Sequence, residues 1–200
     1  MLHVDRGEPE LALQRLEAAE MLVAEQRLGF VMEPRFLHGA ALSAQGGFEE
    51  AVGCLRDALA GGLGARTFRP YGFTRLAEAL ASDGQHSAAI AAVREGMEAQ
   101  EETQALRWRA ELYRLQGIAL IGLNRLEEGE IALDKALRVA RKQQAKAYKL
   151  RAVTDLARLR GDQGRRIEAR DLLAPVYGWF TEGFDTTDLK EAKALLDQLA

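Results

Sequence analysis

The sequence predicts an all-α fold, a right-handed α-α superhelix (a solenoid) of stacked helical hairpins closed by a C-terminal capping helix. The composition is rich in Ala, Leu, Glu and Arg and has only four prolines, which favours helices over strands. Apolar residues recur at helical spacing in paired segments, and small residues return at intervals of about 39 residues. A lone hairpin cannot bury its outer apolar surface, so the hairpins are expected to stack.

The chain opens with a helix that has no partner before it. The pattern predicts this helix over about residues 8–27, with Pro9 suited to a first-turn position. Its apolar residues match those of the second helices in the later hairpins, and Ala12, Leu16, Ala19 and Val23 would be left uncovered. We therefore expect the chain to be cut from a longer protein, or this N-terminal face to be covered by another subunit, as in a homodimer.

The turn inside each hairpin marks the repeat. Its residue is always Gly or Asn, which tolerate the left-handed backbone that ends a helix. The turn residues are Gly7, Gly46, Gly84, Asn124 and Gly164, at spacings of 39, 38, 40 and 40. A small residue stands seven places before and five places after the turn, and a large apolar residue nine places after it. These columns hold Gly39, Ala77, Gly117 and Ala157; Ala12, Ala51, Ala89, Gly129 and Ala169; and Leu16, Leu55, Val93, Leu133 and Leu173.

Four hairpins follow from these columns, at about residues 30–64, 65–103, 104–142 and 143–176, within one domain that spans 1–200. Their helices are predicted over about 34–44, 48–60, 70–82 and 86–100, on either side of the turn at 122–125, and over 147–160 and 166–174. Pro175 should end or kink the last helix, because proline lacks a backbone N–H and clashes with the preceding turn.

The segment 177–200 is predicted to cap the last hairpin. Trp179, Phe180 and Phe184 are concentrated there in a chain with few aromatics, and they can cover the open end of a repeat array. A ligand pocket is the alternative, but no polar constellation accompanies these rings. A short helix is expected from about Asp188, with Glu191 placed as in a capping box. Its apolar stripe is Leu189, Ala192, Leu195, Leu196 and Leu199.

The composition also bounds the function. The net charge of -3 argues against a general nucleic-acid binder, and no apolar run approaches the roughly 20 residues of a membrane helix. A single cysteine, Cys54, is consistent with a reducing cytoplasm, where we expect the protein to be located. No catalytic, metal-ligand or cofactor-binding motif is found, so we expect no enzyme activity and no cofactor.

One region is strongly basic. Between Arg138 and Arg170 there are eleven Lys or Arg residues and three acids, Asp155, Asp162 and Glu168, a local balance of 11 - 3 = +8. Such a run is typical of a solvated helical face. The alternative is a docking surface for an acidic partner or a neighbouring domain.

The repeat resembles the tetratricopeptide (TPR) motif. The resemblance rests on a small residue in the first helix, Gly at the turn, and Ala followed by a large apolar residue in the second helix. Two features depart from that motif. The period here is longer, since the TPR motif repeats every ~34 residues, and no proline closes the second helix.

A more specific resemblance covers about residues 104–200. The segments 108–114 (WRAELYR), 143–146 (QQAK) and 156–159 (LARL), with the aromatic tail, are similar to the C-terminal TPR-like region of bacterial class III adenylate/guanylate cyclases and related large regulatory ATPases. This resemblance implies an NTPase module and a cyclase or DNA-binding output domain before the repeats. Neither is in this chain, so their catalysis is not carried over.

The TPR-like resemblance also implies where a partner would bind. First helices line the concave surface of such stacks, and positions not used for packing point into it. The candidate concave binding surface is Phe36, Tyr71, Glu78, Glu111, Arg114, Arg151 and Arg158. Glu111 and Arg114 are three apart on a helix and are expected to pair. Arg114, Arg151 and Arg158 could hold a carboxylate-bearing peptide.

These features favour a noncatalytic protein–protein interaction scaffold, the sensory or regulatory segment of a larger bacterial signalling protein. The expected partner is a protein or peptide, or another domain of the parent protein. A small-molecule effector-sensing domain and a homodimerisation module through the N-terminal face are the alternatives. Neither nucleic acid nor a membrane is expected as a partner.

Overall fold

The computed structural model describes residues 8–26, 34–60 and 68–200, and over these ranges the chain is helical and contains no strand. The predicted all-α fold is confirmed. Gly7 and the expected hairpin boundaries near residues 30 and 64 lie outside the described residues. The helices are α1 (Pro9–Gln26), α2 (Pro34–Ala44), α3 (Phe48–Ala60), α4 (Arg69–Ser82), α5 (His86–Thr103), a 3-10 turn (Leu106–Trp108), α6 (Arg109–Gly122), α7 (Leu126–Lys142), α8 (Lys146–Asp162), α9 (Arg166–Tyr177) and α10 (Thr187–Gln198).

The helices form two compact units, the first ending at Trp108 and the second comprising Arg109–Ala200. In the first unit, each helix from α1 to α5 packs on the next one along the chain. In the second unit, α6 to α9 pack in the same way, and α10 packs on both α8 and α9. This pairing of chain neighbours is the arrangement of a helical-hairpin repeat. That residues 1–200 form one continuous domain stays a prediction.

The predicted turn residues have the left-handed backbone that the sequence requires. Their φ angles are +85° at Gly46, +76° at Gly84, +60° at Asn124 and +79° at Gly164. Two further left-handed residues, which sequence reasoning did not find, end the second helices. Gln104 (φ 55°) follows α5, and Gln144 (φ 53°) stands between α7 and α8, one repeat later. Glutamine has no special preference for this conformation, so its type gave no signal there.

The small-residue columns allow the two helices of a hairpin to approach closely. A Cβ placed on Gly117 would lie 2.7 Å from Cγ of Leu133 and 3.1 Å from the carbonyl oxygen of Gly129. The equivalent pair in the first unit repeats this geometry, because a Cβ on Gly39 would lie 2.5 Å from Cγ of Leu55. The small residue seven places before the turn therefore packs against the large apolar residue nine places after it.

Two local predictions at the C-terminal end are wrong. Helix α9 does not end at Ala174 but continues through Pro175 to Tyr177. The missing proline N–H affects only the last turn, where the Gly178 N–H still donates to the Ala174 carbonyl. Asp188 and Glu191 form no capping box, because Thr186 is the N-cap of α10 and caps it with no side-chain hydrogen bond.

The cap is made mainly by α10. Leu189, Ala192, Leu195 and Leu199 are buried in the core of the second unit, and Leu196 packs against it partly buried. Phe180 also packs against this core. Trp179 and Phe184, in contrast, stay about half exposed, at 53% and 47%. The apolar stripe of α10 therefore covers the last hairpin. Sequence reasoning assigned much of that role to Trp179, Phe180 and Phe184.

Candidate interaction site

Three helices of the second unit contribute to one cluster of charged side chains. Glu111 on α6 is fully buried and accepts a 2.7 Å hydrogen bond from Nη2 of Arg114, one turn further along the helix. The expected pairing of these two residues is confirmed. A charged pair three apart on a helix face is worth little when exposed, but burial removes competing water and strengthens it.

Arg151 links Glu111 to the cap. It occupies the same repeat position on α8 as Glu111 does on α6, one repeat earlier. Its Nε donates a 2.7 Å hydrogen bond to Oδ2 of Asp188, and its Nη1 lies 3.5 Å from Oε1 of Glu111. The acidic Glu111 on α6, the basic Arg151 on α8 and the acidic Asp188 on α10 therefore lie in a row.

Asp155 extends the cluster toward the surface. Its Oδ2 accepts a 2.7 Å hydrogen bond from Nη1 of Arg114, and its Oδ1 accepts a 2.9 Å bond from Nη1 of Arg158. Arg114 is nearly buried, whereas 46% of the Arg158 side chain is exposed. The six residues Glu111, Arg114, Arg151, Asp155, Arg158 and Asp188 are called the ionic cluster below.

The ionic cluster balances three guanidinium groups against three carboxylates. Burial raises the pKa of Asp188 above its ordinary value, and the neighbouring Arg151 charge opposes this only in part. A cavity of about 20 Å³ lies inside the cluster, lined by Arg114, Arg151, Thr154, Asp155, Asp188 and Glu191. That volume holds about one water molecule, so this cavity is too small for a metabolite.

The other predicted surface residues lie in the first unit. Phe36 and Tyr71 are buried rather than free of packing contacts. A Cβ on Gly72 would lie 2.5 Å from Cε1 of Phe36, and the Tyr71 ring centroid is 6.0 Å from that of Trp108. These positions of the first helices are used for helix packing in this unit, contrary to what the repeat pattern indicated.

Of the three predicted surface residues in the first unit, Glu78 is the one that is partly exposed. Its Oε2 lies 2.9 Å from Nη1 of Arg75, and the Arg75 guanidinium also lies 5.3 Å from the centroid of the Tyr71 ring. Sequence reasoning missed Arg75, Asp155 and Asp188. The helical spacing of Asp155 from Arg158 was an available signal, whereas nothing local connects Asp188 to Arg151.

The arrangement can hold helices together and present Arg158 to a ligand carboxylate. Among residues 8–26, 34–60 and 68–200, no three His, Cys, Asp or Glu side chains are grouped so that they could bind a metal ion. No helix within these ranges is long and apolar enough to span a membrane.

Comparison with known proteins supports the fold. No protein-family description matches the chain, and no curated protein matches it. Solved structures do match. One is a Podosopora anserina chain described as a kinesin light chain with nearly identical TPR-like repeats, with a TM-score of 0.59 and 18% identity over 82% of this chain and 83% of that one. A variant of that protein with a single substitution gives a TM-score of 0.58 and 21% identity over 88% of both chains. Identity this low shows a shared TPR-like helical-repeat fold and nothing further.

Proposed function

We propose that this chain is a noncatalytic protein–protein interaction scaffold, the regulatory segment of a larger bacterial signalling protein that acts in the cytoplasm. The TPR-like fold supports the scaffold role. The resemblance of residues 104–200 to the repeat regions of cyclases and regulatory ATPases supports the signalling context. The expected partner is a carboxylate-bearing peptide, a protein, or another domain of the parent.

The observation that carries this proposal is the position of Arg158 at the edge of the ionic cluster. Asp155 holds one side of its guanidinium, while nearly half of the side chain faces solvent. An arginine held in place loses less conformational entropy when it binds a carboxylate. All three arginines of the predicted trio bind carboxylates of this chain, but Arg114 and Arg151 are nearly buried, so the half-exposed Arg158 is the member that is open to a partner.

Peptide binding with a charge-reversal variant tests this function. Short labelled peptides with free C-terminal carboxylates, and the same peptides with amidated ends, would be titrated against the protein and followed by fluorescence anisotropy. We expect Arg158→Glu to weaken binding of the free-carboxylate peptides at least about tenfold, which is roughly 1.4 kcal/mol.

The matched control is Arg170→Glu, which makes the same charge change at an exposed position on α9. Thermal unfolding of both variants would show that they are folded. Equal binding by Arg158→Glu and the unaltered chain, or no difference between free and amidated peptides, would contradict this site.

Self-association is a second candidate, favoured by exposed apolar side chains on α1. Met21 is 63% and Leu22 is 55% exposed. Large apolar residues at adjacent exposed positions are typical of association surfaces. Light scattering over a concentration series would detect a dimer, and Met21→Gln with Leu22→Gln should abolish it. Ile167→Gln, a similar change at a residue 78% exposed on α9, should leave it intact. A monomer at all concentrations would exclude this candidate.

A further inference from the structure

The junction of α7 and α8 lies in a stretch of sequence that is rich in cations and contains no acid. Residues 135–154 contain seven Lys or Arg and no Asp or Glu. Arg151 belongs to the ionic cluster. The other six make no ion pair with any residue that the structure describes, and five of them are exposed. These six residues, Lys135, Arg138, Arg141, Lys142, Lys146 and Lys149, are called the basic surface.

The fold brings the two ends of the basic surface together. Helix α7 ends at Lys142, the chain reverses through Gln144, and α8 begins at Lys146. The Ala145 N–H donates to the Ala140 carbonyl at 3.0 Å, which closes this reversal tightly. The last turn of α7 and the first turn of α8 are therefore close together in the fold.

Helix stability explains the cations at the end of α7 but not those at the start of α8. Arg141 and Lys142 in the last turn of α7 are favourable to the helix dipole. Lys146 and Lys149 are not, because they stand at the positive N-terminal end of α8, which has no acid in its first turn. Helices α7 and α9 both begin with acids instead. Residues that break a local rule without a folding benefit are expected at functional surfaces.

An exposed aromatic ring lies within this surface. Nζ of Lys146 is 3.2 Å from the centroid of the Trp179 ring, a cation–π contact that holds the ammonium group in place. The Phe180 ring packs edge-on against Trp179, with centroids 5.2 Å apart. Trp179 is nevertheless half exposed, so the surface offers both cations and an apolar face.

We propose that the basic surface, with Trp179, docks a short acidic segment of a protein partner. Carboxylates of the partner would pair with Lys142, Lys146 and their neighbours, and an apolar side chain would pack on the Trp179 ring. A short segment fits better than nucleic acid, because the whole chain carries a net charge of -3 and repels an extended polyanion.

This site is separate from the Arg158 site, so each can fail while the other holds. The test uses a short labelled peptide of Asp and Glu with one central Leu, and a single-stranded DNA oligonucleotide of equal charge. We expect the peptide to bind, to bind more tightly than the DNA, and to lose affinity as salt increases. Lys142→Glu with Lys146→Glu should weaken it at least about tenfold.

Two controls show whether a loss of affinity is due to the basic surface itself. Arg56→Glu with Arg94→Glu changes the net charge equally at exposed residues of α3 and α5 and should leave peptide affinity within about twofold. Lys146→Glu places an acid at the favourable N-terminus of α8, whereas Lys142→Glu places one at the unfavourable C-terminus of α7, so thermal unfolding of both double variants is measured to show that they are folded. Weaker binding then cannot be attributed to unfolding.

Tryptophan fluorescence gives an independent readout. The chain has two tryptophans, of which Trp108 is buried and Trp179 is half exposed. Peptide binding should change the emission spectrum, and Trp179→Phe should remove that change. Tighter binding of the DNA than of the peptide, no peptide binding, or equal loss of affinity in both double variants would overturn the proposal.

Discussion

Arg151 and Asp188 are joined by a 2.7 Å hydrogen bond between Nε and Oδ2, across 37 residues of chain. This bond attaches the cap helix α10 to α8 beside the apolar stripe that α10 buries. Because Arg151 also lies 3.5 Å from Glu111, the same repeat position carries an acid on α6 and a base on α8. Apolar packing alone is tolerant of sliding, whereas a row of opposite charges favours one register.

The Glu111–Arg114 pair should be strongly coupled because it is buried. We expect Arg114→Met to destabilise the fold by about 3–5 kcal/mol, since it removes one partner of a buried ion pair. The double variant with Glu111→Gln should cost less than the sum of the two single changes, with a coupling of about 0.5–3 kcal/mol. Urea unfolding of the four proteins measures this coupling.

The matched control is the pair Arg125 and Glu128, which has the same spacing but is exposed, with Nη2 and Oε2 2.6 Å apart. The same cycle there should show almost no coupling, because solvent screens the charges. Similar coupling in both pairs would mean that burial does not strengthen the ionic cluster.

The raised pKa of Asp188 predicts a specific pH dependence. A carboxyl group whose pKa is raised on folding stabilises the fold when it is protonated, and this contribution is lost as pH rises through the folded-state pKa. Asp188→Asn resembles the protonated form at every pH. We therefore expect the Asn variant to gain stability relative to the unaltered chain between about pH 4 and pH 7, measured by urea unfolding.

Glu128 provides a control of opposite sign. Its hydrogen bond with Arg125 lowers the pKa of Glu128, so the ionised form is favoured in the folded state. Glu128→Gln should therefore lose stability relative to the unaltered chain only as pH rises toward about 4.5, the ordinary pKa of glutamate, and only slightly, because solvent screens this exposed pair. If Asp188→Asn also lost stability relative to the unaltered chain as pH rises, the ion pair with Arg151 would have a larger effect on the pKa of Asp188 than its burial.

The close approach of α6 and α7 makes Gly117 intolerant of a methyl group. Gly117→Ala would place Cβ 2.7 Å from Cγ of Leu133, so either the Leu side chain or the helix must shift. We expect a loss of about 1–3 kcal/mol in unfolding free energy. Gly53→Ala is the control, because no atom lies within 4 Å of its added Cβ on α3. That variant should be stabilised by about 0.5–1 kcal/mol. Equal effects at both sites would exclude close packing as the cause.

The left-handed backbone of Gln144 should be relieved by glycine. An L-residue in this conformation costs about 1–2 kcal/mol, which exceeds the entropy that glycine loses on folding. Gln144→Gly should therefore raise the free energy of unfolding by up to about 1 kcal/mol. Gln163→Gly, at φ -81° after α8, should lower it instead. Thermal or urea unfolding of the two variants decides between these outcomes, and destabilisation by both would contradict the backbone argument.

Much of the secondary structure could be predicted because it depends on nearby residues. The expected bounds of α2 and α3 match the structure, and Asn124 adopts the left-handed turn that its repeat column requires. The Glu111–Arg114 pair was also predictable, since both residues lie on one turn of one helix. Pro175 shows the limit of such reasoning, because its effect depends on how much helix remains after it.

The sequence by itself determined the helices, their hairpin turns and the small residues that let paired helices approach, because each of these follows from spacing along the chain. Only the tertiary structure decided that Phe36 and Tyr71 are buried, that Trp179 stays exposed beside Lys146, and that Asp188 binds Arg151. These outcomes depend on which helices meet and in what register. Residues distant in sequence set that register together, so no local pattern encodes it.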